Sequence, residues 1–84
     1  MLQSIDARTG AAFGDAWADS TPAHIEAAVA ATALAAPLFA ATSLAERAQL
    51  LRALAQALAQ HGAQLVSIAD KETGLGAARL QGEL

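Results

Sequence analysis

Ser43-Leu44-Ala45-Glu46-Arg47-Ala48-Gln49-Leu50-Leu51-Arg52-Ala53-Leu54-Ala55-Gln56-Ala57-Leu58-Ala59-Gln60 carries the plainest structural signal in the chain. It opens as a capping box, in which the Ser43 hydroxyl accepts from the amide of residue 46 and the Glu46 carboxylate reaches back to the amide of Ser43. Leu44, Leu51, Leu54 and Leu58 then recur at spacings of seven, three and four, with Leu50 near the edge. Gln49, Arg52, Gln56 and Gln60 line the opposite side. The pattern predicts an amphipathic helix over 44–61 that buries one leucine stripe.

Upstream, Ser20-Thr21-Pro22 sets another helix start. Thr21 can take an orphaned first-turn amide, and proline at the first helical position gives up a donor that has no partner there. Ile25, Ala28, Val29, Thr32 and Ala36 share one face, and Pro37 is expected to end this helix near Ala36, giving 22–36. The first twenty residues lack a helical period; Gly10 and Gly14 with Ala7-Arg8-Thr9-Gly10 predict a short hairpin or turn.

Downstream, His61-Gly62 interrupts. A third helix over 63–73 is expected to carry Leu65, Ile68 and Ala69 inward and to stop at Gly74, the residue type best suited to a left-handed C-cap. Glu72 falls in its last turn, where the macrodipole disfavours a carboxylate, so it calls for a cation or backbone amides from elsewhere. Ala77 to Leu84 reads as the opening of a fourth helix with Arg79 and Glu83 at i, i+4, cut rather than finished. The expected fold is therefore mainly α, three to four helices after a short N-terminal hairpin, with Leu51, Leu54, Leu58, Leu65 and Ile68 mutually buried.

Composition narrows the function. The 84 residues are 55% hydrophobic, but 25 of them are alanine, which leaves 21 side chains large enough to fill a core. That is thin for a size at which an unaided core is already marginal. The net charge of −3 and five scattered cations, Arg8, Arg47, Arg52, Lys71 and Arg79, argue against nucleic acid as a partner. Without cysteine there is no disulfide, thiolate zinc site or catalytic thiol; the start Met1-Leu2-Gln3-Ser4-Ile5-Asp6 has no basic n-region of a signal peptide, and a cytoplasmic location is the expectation. Residues 27–45 carry no charge, close to a bilayer-spanning length. Weakly apolar alanine, Thr32, Thr42 and Ser43, the break expected at Pro37 and the lack of flanking anchors argue against a membrane span.

No constellation of catalytic type emerges. Gly74-Leu75-Gly76 starts like a dinucleotide fingerprint, but Arg79 stands where a third glycine belongs and a helix precedes it where a strand is required. His24 and His61 have no second ligand at i+3 or i+4, so His24 reads as a solvated residue and His61 as a helix-end residue rather than metal ligands. Asp15 and Asp19, and Asp70 and Glu72, read as solvated carboxylates, and Lys71 between two acids as a surface residue. Catalytic, cofactor-binding and metal-ligating residues are each expected to be none. The alanine-dense face from Ala27 to Ala36 is a candidate docking surface.

Taken together, the hairpin-like start, the Thr-Pro capped alanine helix, Leu44-Ala45-Glu46-Arg47, the leucine-striped helix and Glu72-Thr73-Gly74 resemble the N-terminal segment of the NAD(P)-dependent aldehyde dehydrogenase superfamily. Glu72-Thr73-Gly74-Leu75-Gly76-Ala77-Ala78-Arg79-Leu80-Gln81-Gly82-Glu83 is most similar to the form of this region in alpha-ketoglutaric semialdehyde (2,5-dioxovalerate) dehydrogenases. Two departures stand out: Gly76 replaces a common proline, and Asp6-Ala7-Arg8-Thr9-Gly10 replaces a frequent Asn-Pro-Ala-Thr-Gly. The resemblance implies that residues 1–84 are the N-terminal helical part of an incomplete cofactor-binding domain, a fragment of a larger α/β fold. It also implies a homo-oligomeric parent oxidising the semialdehyde to 2-oxoglutarate with NAD or NADP, through a cysteine and a glutamate from much later in the chain. No such residue carries over onto these positions. The implied partner is the remainder of the parent enzyme, or a second copy through self-association. The alternative is a small helical binding or structural module that docks through its alanine-rich face.

Overall fold

Asp6 turns the chain at its first corner. Its Oδ1 accepts from the amides of Arg8 at 2.8 Å and Thr9 at 3.1 Å, the local side-chain turn that aspartate forms readily. Gly10 follows at φ +74 and donates to the Asp6 carbonyl. In the computed structural model, which describes all 84 residues, this turn joins two antiparallel strands, β1 (Leu2–Ile5) and β2 (Ala12–Trp17). Ser4 pairs with Phe13 and Ile5 with Ala12, but Leu2 pairs with Trp17, so the register slips within β2. Gly14 sits in that slip at φ +70, the backbone region a bulge of this kind demands.

Four helices follow: α1 (Pro22–Ala40), α2 (Leu44–Gln60), α3 (Gly62–Thr73) and α4 (Ala77–Glu83). The mainly helical fold read from the sequence holds. The capping box at Ser43 forms as expected, with Glu46 N–H to Ser43 Oγ at 3.1 Å and Ser43 N–H to a Glu46 oxygen at 2.8 Å. Gly74 caps α3 at φ +69 and donates to the Asp70 carbonyl.

Pro37 does not end the first helix. The helix passes through it to Ala40, because proline's φ is helical and the damage is confined to the hydrogen bond it cannot donate and to crowding at the preceding turn. Only three helical residues follow, and the Pro37 carbonyl accepts from Ala41 N–H, so the last turn still closes. Arg47 then fixes the corner into α2: its Nη1 donates to the Thr42 carbonyl at 2.8 Å and reaches the Ala40 carbonyl at 3.5 Å.

The expected leucine core is the larger correction. Only Gly62 and Val66 are buried, and Leu51, Leu54, Leu58, Leu65 and Ile68 are all exposed, Leu54 at 52%. The stripe along α2 is present, but it is left largely open: its C-terminal end at Leu58 borders a shallow cleft with Gln81 of α4 and Leu84, and Leu51 and Leu54 stay exposed. Val66, at 7% exposure, holds the place that Leu65 and Ile68 were expected to take. It shares a face of α3 with Gly62 and Ala69, and Leu80 and Leu84 border the same cleft. Gly62 has no side chain to obstruct this approach; a Cβ there would stand 2.6 Å from Leu84 Cδ2.

Of the 21 large hydrophobic side chains, 18 are exposed. The molecule extends 47 × 34 × 15 Å with a radius of gyration of 17.5 Å, against about 12 Å for a compact chain of this length. Its accessible surface is 6677 Å², where a compact protein of this mass exposes about 4,700 Å².

Candidate functional site

Two features distinguish the surface: a polar clasp at the end of α3 and a broad apolar face on the α1–α2 arm. The clasp centres on Asp70. The Arg8 fork donates to both carboxylate oxygens, Nη2 to Oδ1 at 2.9 Å and Nη1 to Oδ2 at 3.2 Å, and Nη1 also reaches the Asp70 carbonyl at 3.3 Å. Oδ1 accepts a further hydrogen bond, from Gly76 N–H at 2.8 Å. Around it, Ala7 N–H donates to the Lys71 carbonyl at 2.9 Å and Ser4 Oγ–H to Glu72. Lys71 Nζ lies 4.2 Å from the centre of the Phe13 ring, a cation–π distance.

These contacts correct the reading of Asp70 and Glu72 as merely solvated carboxylates. Glu72 has the partner that its place at a helix C-terminus called for, and that partner is a β1 hydroxyl rather than a cation or amide. The Arg8 guanidinium, then the Gly76 amide, hold the Asp70 carboxyl below the usual carboxylate range, and Asp70 in turn raises Arg8. Asp6 is lowered as well, chiefly by the Arg8 amide it accepts from.

Gly74-Leu75-Gly76 serves as a helix stop. Gly74 is the left-handed cap of α3, and the Gly76 amide that would face a phosphate in a dinucleotide turn is taken by Asp70. A helix precedes this turn, so these residues do not fit a nicotinamide dinucleotide. His24 is exposed, but it is more than solvated: its Nδ1 accepts from Thr21 N–H at 3.4 Å while its own amide donates to Thr21 Oγ1 at 3.2 Å, completing a capping box at the start of α1. His61 joins α2 to α3 without a side-chain cap bond. No three His, Cys, Asp or Glu residues converge in a metal-holding group.

The alanine-dense groove stands on α1 where expected, but the helix is apolar on every side, with Leu34 and Leu38 exposed away from the groove. Ala28, Val29, Thr32, Ala33 and Ala36 line a shallow groove on α1, whose Thr32 hydroxyl is satisfied within the helix by the Ala28 carbonyl at 2.8 Å. By length and composition α1 is also long and apolar enough to cross a bilayer, and the break at Pro37 that argued against this is not present. The face has no reactive group. Its chemistry is that of burial against another surface.

The sequence model of the aldehyde dehydrogenase family matches residues 2–84, almost the whole chain. The chain belongs to the aldehyde dehydrogenase family. No curated protein and no solved structure matches it. Aldehyde dehydrogenases generally use NAD or NADP and are generally oligomeric. For an aldehyde dehydrogenase sequence the 84 residues are chemically quiet, since they contain no cysteine to serve as a thiolate nucleophile. What reading the sequence missed is the Asp70 clasp; its signal was an arginine in a tight turn and an acid just before a Gly-x-Gly turn, with no local partner for either.

Proposed function

We propose that residues 1–84 form the N-terminal helical part of an aldehyde dehydrogenase cofactor-binding domain and act by packing against the rest of that domain, not by chemistry of their own. The observation that carries this reading is the family match over 2–84 combined with an apolar surface left open. The accessible area exceeds that of a compact protein by about 2,000 Å², more than the roughly 800 Å² that one partner contributes to an ordinary interface. In this reading α1 docks on protein rather than lipid: Glu26 lies in its first turns, alanine dominates, and no basic or aromatic anchors flank its apolar part. A cytoplasmic enzyme is the corresponding location.

The parent reaction is oxidation of an aldehyde to an acid with NAD or NADP. We take alpha-ketoglutaric semialdehyde as the substrate and 2-oxoglutarate as the product, on the strength of Glu72-Thr73-Gly74-Leu75, Ala78-Arg79-Leu80 and Gly82-Glu83. Gly76 weighs against that finer assignment. Its φ of +94 is closed to the proline common in those enzymes, so this chain turns the α3–α4 corner with a different backbone.

The test is a substrate panel on the enzyme carrying this segment. The semialdehyde should exceed acetaldehyde and betaine aldehyde in kcat/KM; equal or better use of either simple aldehyde overturns the substrate and leaves the family. The 84-residue chain alone should neither oxidise aldehydes nor bind the nicotinamide cofactor, and saturable cofactor binding by it would overturn the docking role.

The exposed α1 groove also favours a second reading, a helical module that docks on a separate partner. A coding sequence continuing in frame past Leu84 for several hundred residues supports the first reading; a stop codon supports the second.

A further inference from the structure

The hairpin and the α3–α4 corner share one carboxylate. Asp70 is the sole side chain that bonds to both: Arg8 comes from the β1–β2 turn, 62 positions away, and the Gly76 amide comes from the turn into α4. The planar Arg8 fork pins both oxygens, and so sets the plane of the carboxylate. With that plane set, Oδ1 is aimed at Gly76 N–H, where it receives its second bond at 2.8 Å. Free of Arg8, the same carboxylate could rotate about its last torsion, a soft one, and present neither oxygen squarely to the amide.

We propose that Asp70 is a mechanical coupling between hairpin docking and the α3–α4 turn, with Arg8 as the positioning residue that acts on Gly76 through it. Docking of the hairpin onto α3 orders the carboxylate, and the ordered carboxylate holds Gly76 at φ +94, the backbone setting that directs α4 back along α3. Leu84 thereby arrives over Gly62, at the opposite end of α3 from the clasp. The reverse holds too, since a coupling between two sites is reciprocal: a surface that grips α4 tightens the hairpin. Lys71 and Glu72 touch only the hairpin side, through Phe13 and Ser4, so they strengthen docking without contacting the turn.

Amide hydrogen exchange on the 84-residue chain tests this, with the Gly76 amide as the reporter and Arg8→Met as the perturbation. Arg8 makes no hydrogen bond to Gly76, yet coupling through Asp70 should raise Gly76 exchange about fivefold, the scale of losing an ion pair at the strong end of the partly exposed range. Asp70→Asn should raise it at least as much, and Arg8→Lys, which keeps the charge but not the fork, should fall between Arg8→Met and the parent. The Glu46 amide, in the separate capping box at Ser43, should not change in any variant. Unchanged Gly76 exchange in Arg8→Met overturns the coupling. Loss of protection at Glu46 alongside Gly76 overturns it as well, because it shows general unfolding instead of a link between two elements.

Discussion

Arg8 and Asp70 form a two-pronged ion pair across 62 positions of sequence, with Arg8 54% and Asp70 27% exposed at the side chain. Exposed pairs of this kind contribute modestly by themselves, but this one joins the hairpin to α3 beside two further polar contacts and a cation over an aromatic ring.

Acid should release it. Asp70 and Asp6 both have folded-state values below the ordinary 3.8, so the unfolded chain binds their protons more readily than the folded one. Their contribution is fully present above that ordinary value and is lost as pH falls below it toward the folded values. A titration followed by Trp17 fluorescence or by the Ala7 amide should show the hairpin detaching below about pH 4; a hairpin that stays docked well into stronger acid would contradict the clasp.

Gly76→Pro should disrupt the α3–α4 corner. Proline cannot take φ +94 and has no N–H for Asp70, so the substitution loses both the backbone setting and the 2.8 Å bond, the latter alone worth about 1.5–3 kcal/mol. The contact between Leu84 and the α3 backbone at Gly62, followed by NMR, should disappear.

Leu54→Ala should barely change the stability of the chain alone. Leu54 is already half exposed, so the cost should stay below about 1 kcal/mol instead of the roughly 2–5 kcal/mol of a core leucine. In the enzyme that covers α2 the same substitution should reach the core range. A large drop in the unfolding midpoint of the isolated chain would mean that its stripe is covered after all.

Pro37→Ala should raise helicity. The new amide can donate to the Ala33 carbonyl inside α1, and because Pro37 stands in the last turn the gain should stay well below the roughly 3 kcal/mol that separates alanine from proline in a helix interior. Circular dichroism at 222 nm should strengthen; an unchanged spectrum would indicate that the last turn gains nothing from the bond.

What could be read from the sequence was what is local. Ser43 and Glu46, Thr21 and Pro22, and Gly74 each act within one helical turn, and each marks a boundary where the structure has one. Pro37 misled because its penalty is also local, and four helical residues from Pro37 to Ala40 suffice to absorb it. The leucine spacing of α2 reveals which face is apolar, but not what lies against it, so burial of Leu51, Leu54 and Leu58 did not follow. Arg8 and Asp70 could not be paired by spacing at all, since their meeting depends on where the hairpin comes to rest on α3.

That separation also sets an order in time. On the ribosome the hairpin is made first and Asp70 62 residues later, which at about 5–20 residues per second is a wait of roughly 3–12 s. During that wait the hairpin has no α3 to rest on, and α1 is completed at Ala40 before Leu44 to Asp70 is made. Trp17, Ile25, Val29 and Leu34 stay exposed even after α3 is complete, so the wait concerns the hairpin and not these side chains. Slow codons across Leu44 to Asp70 therefore lengthen the interval in which the hairpin stands without its α3 partner.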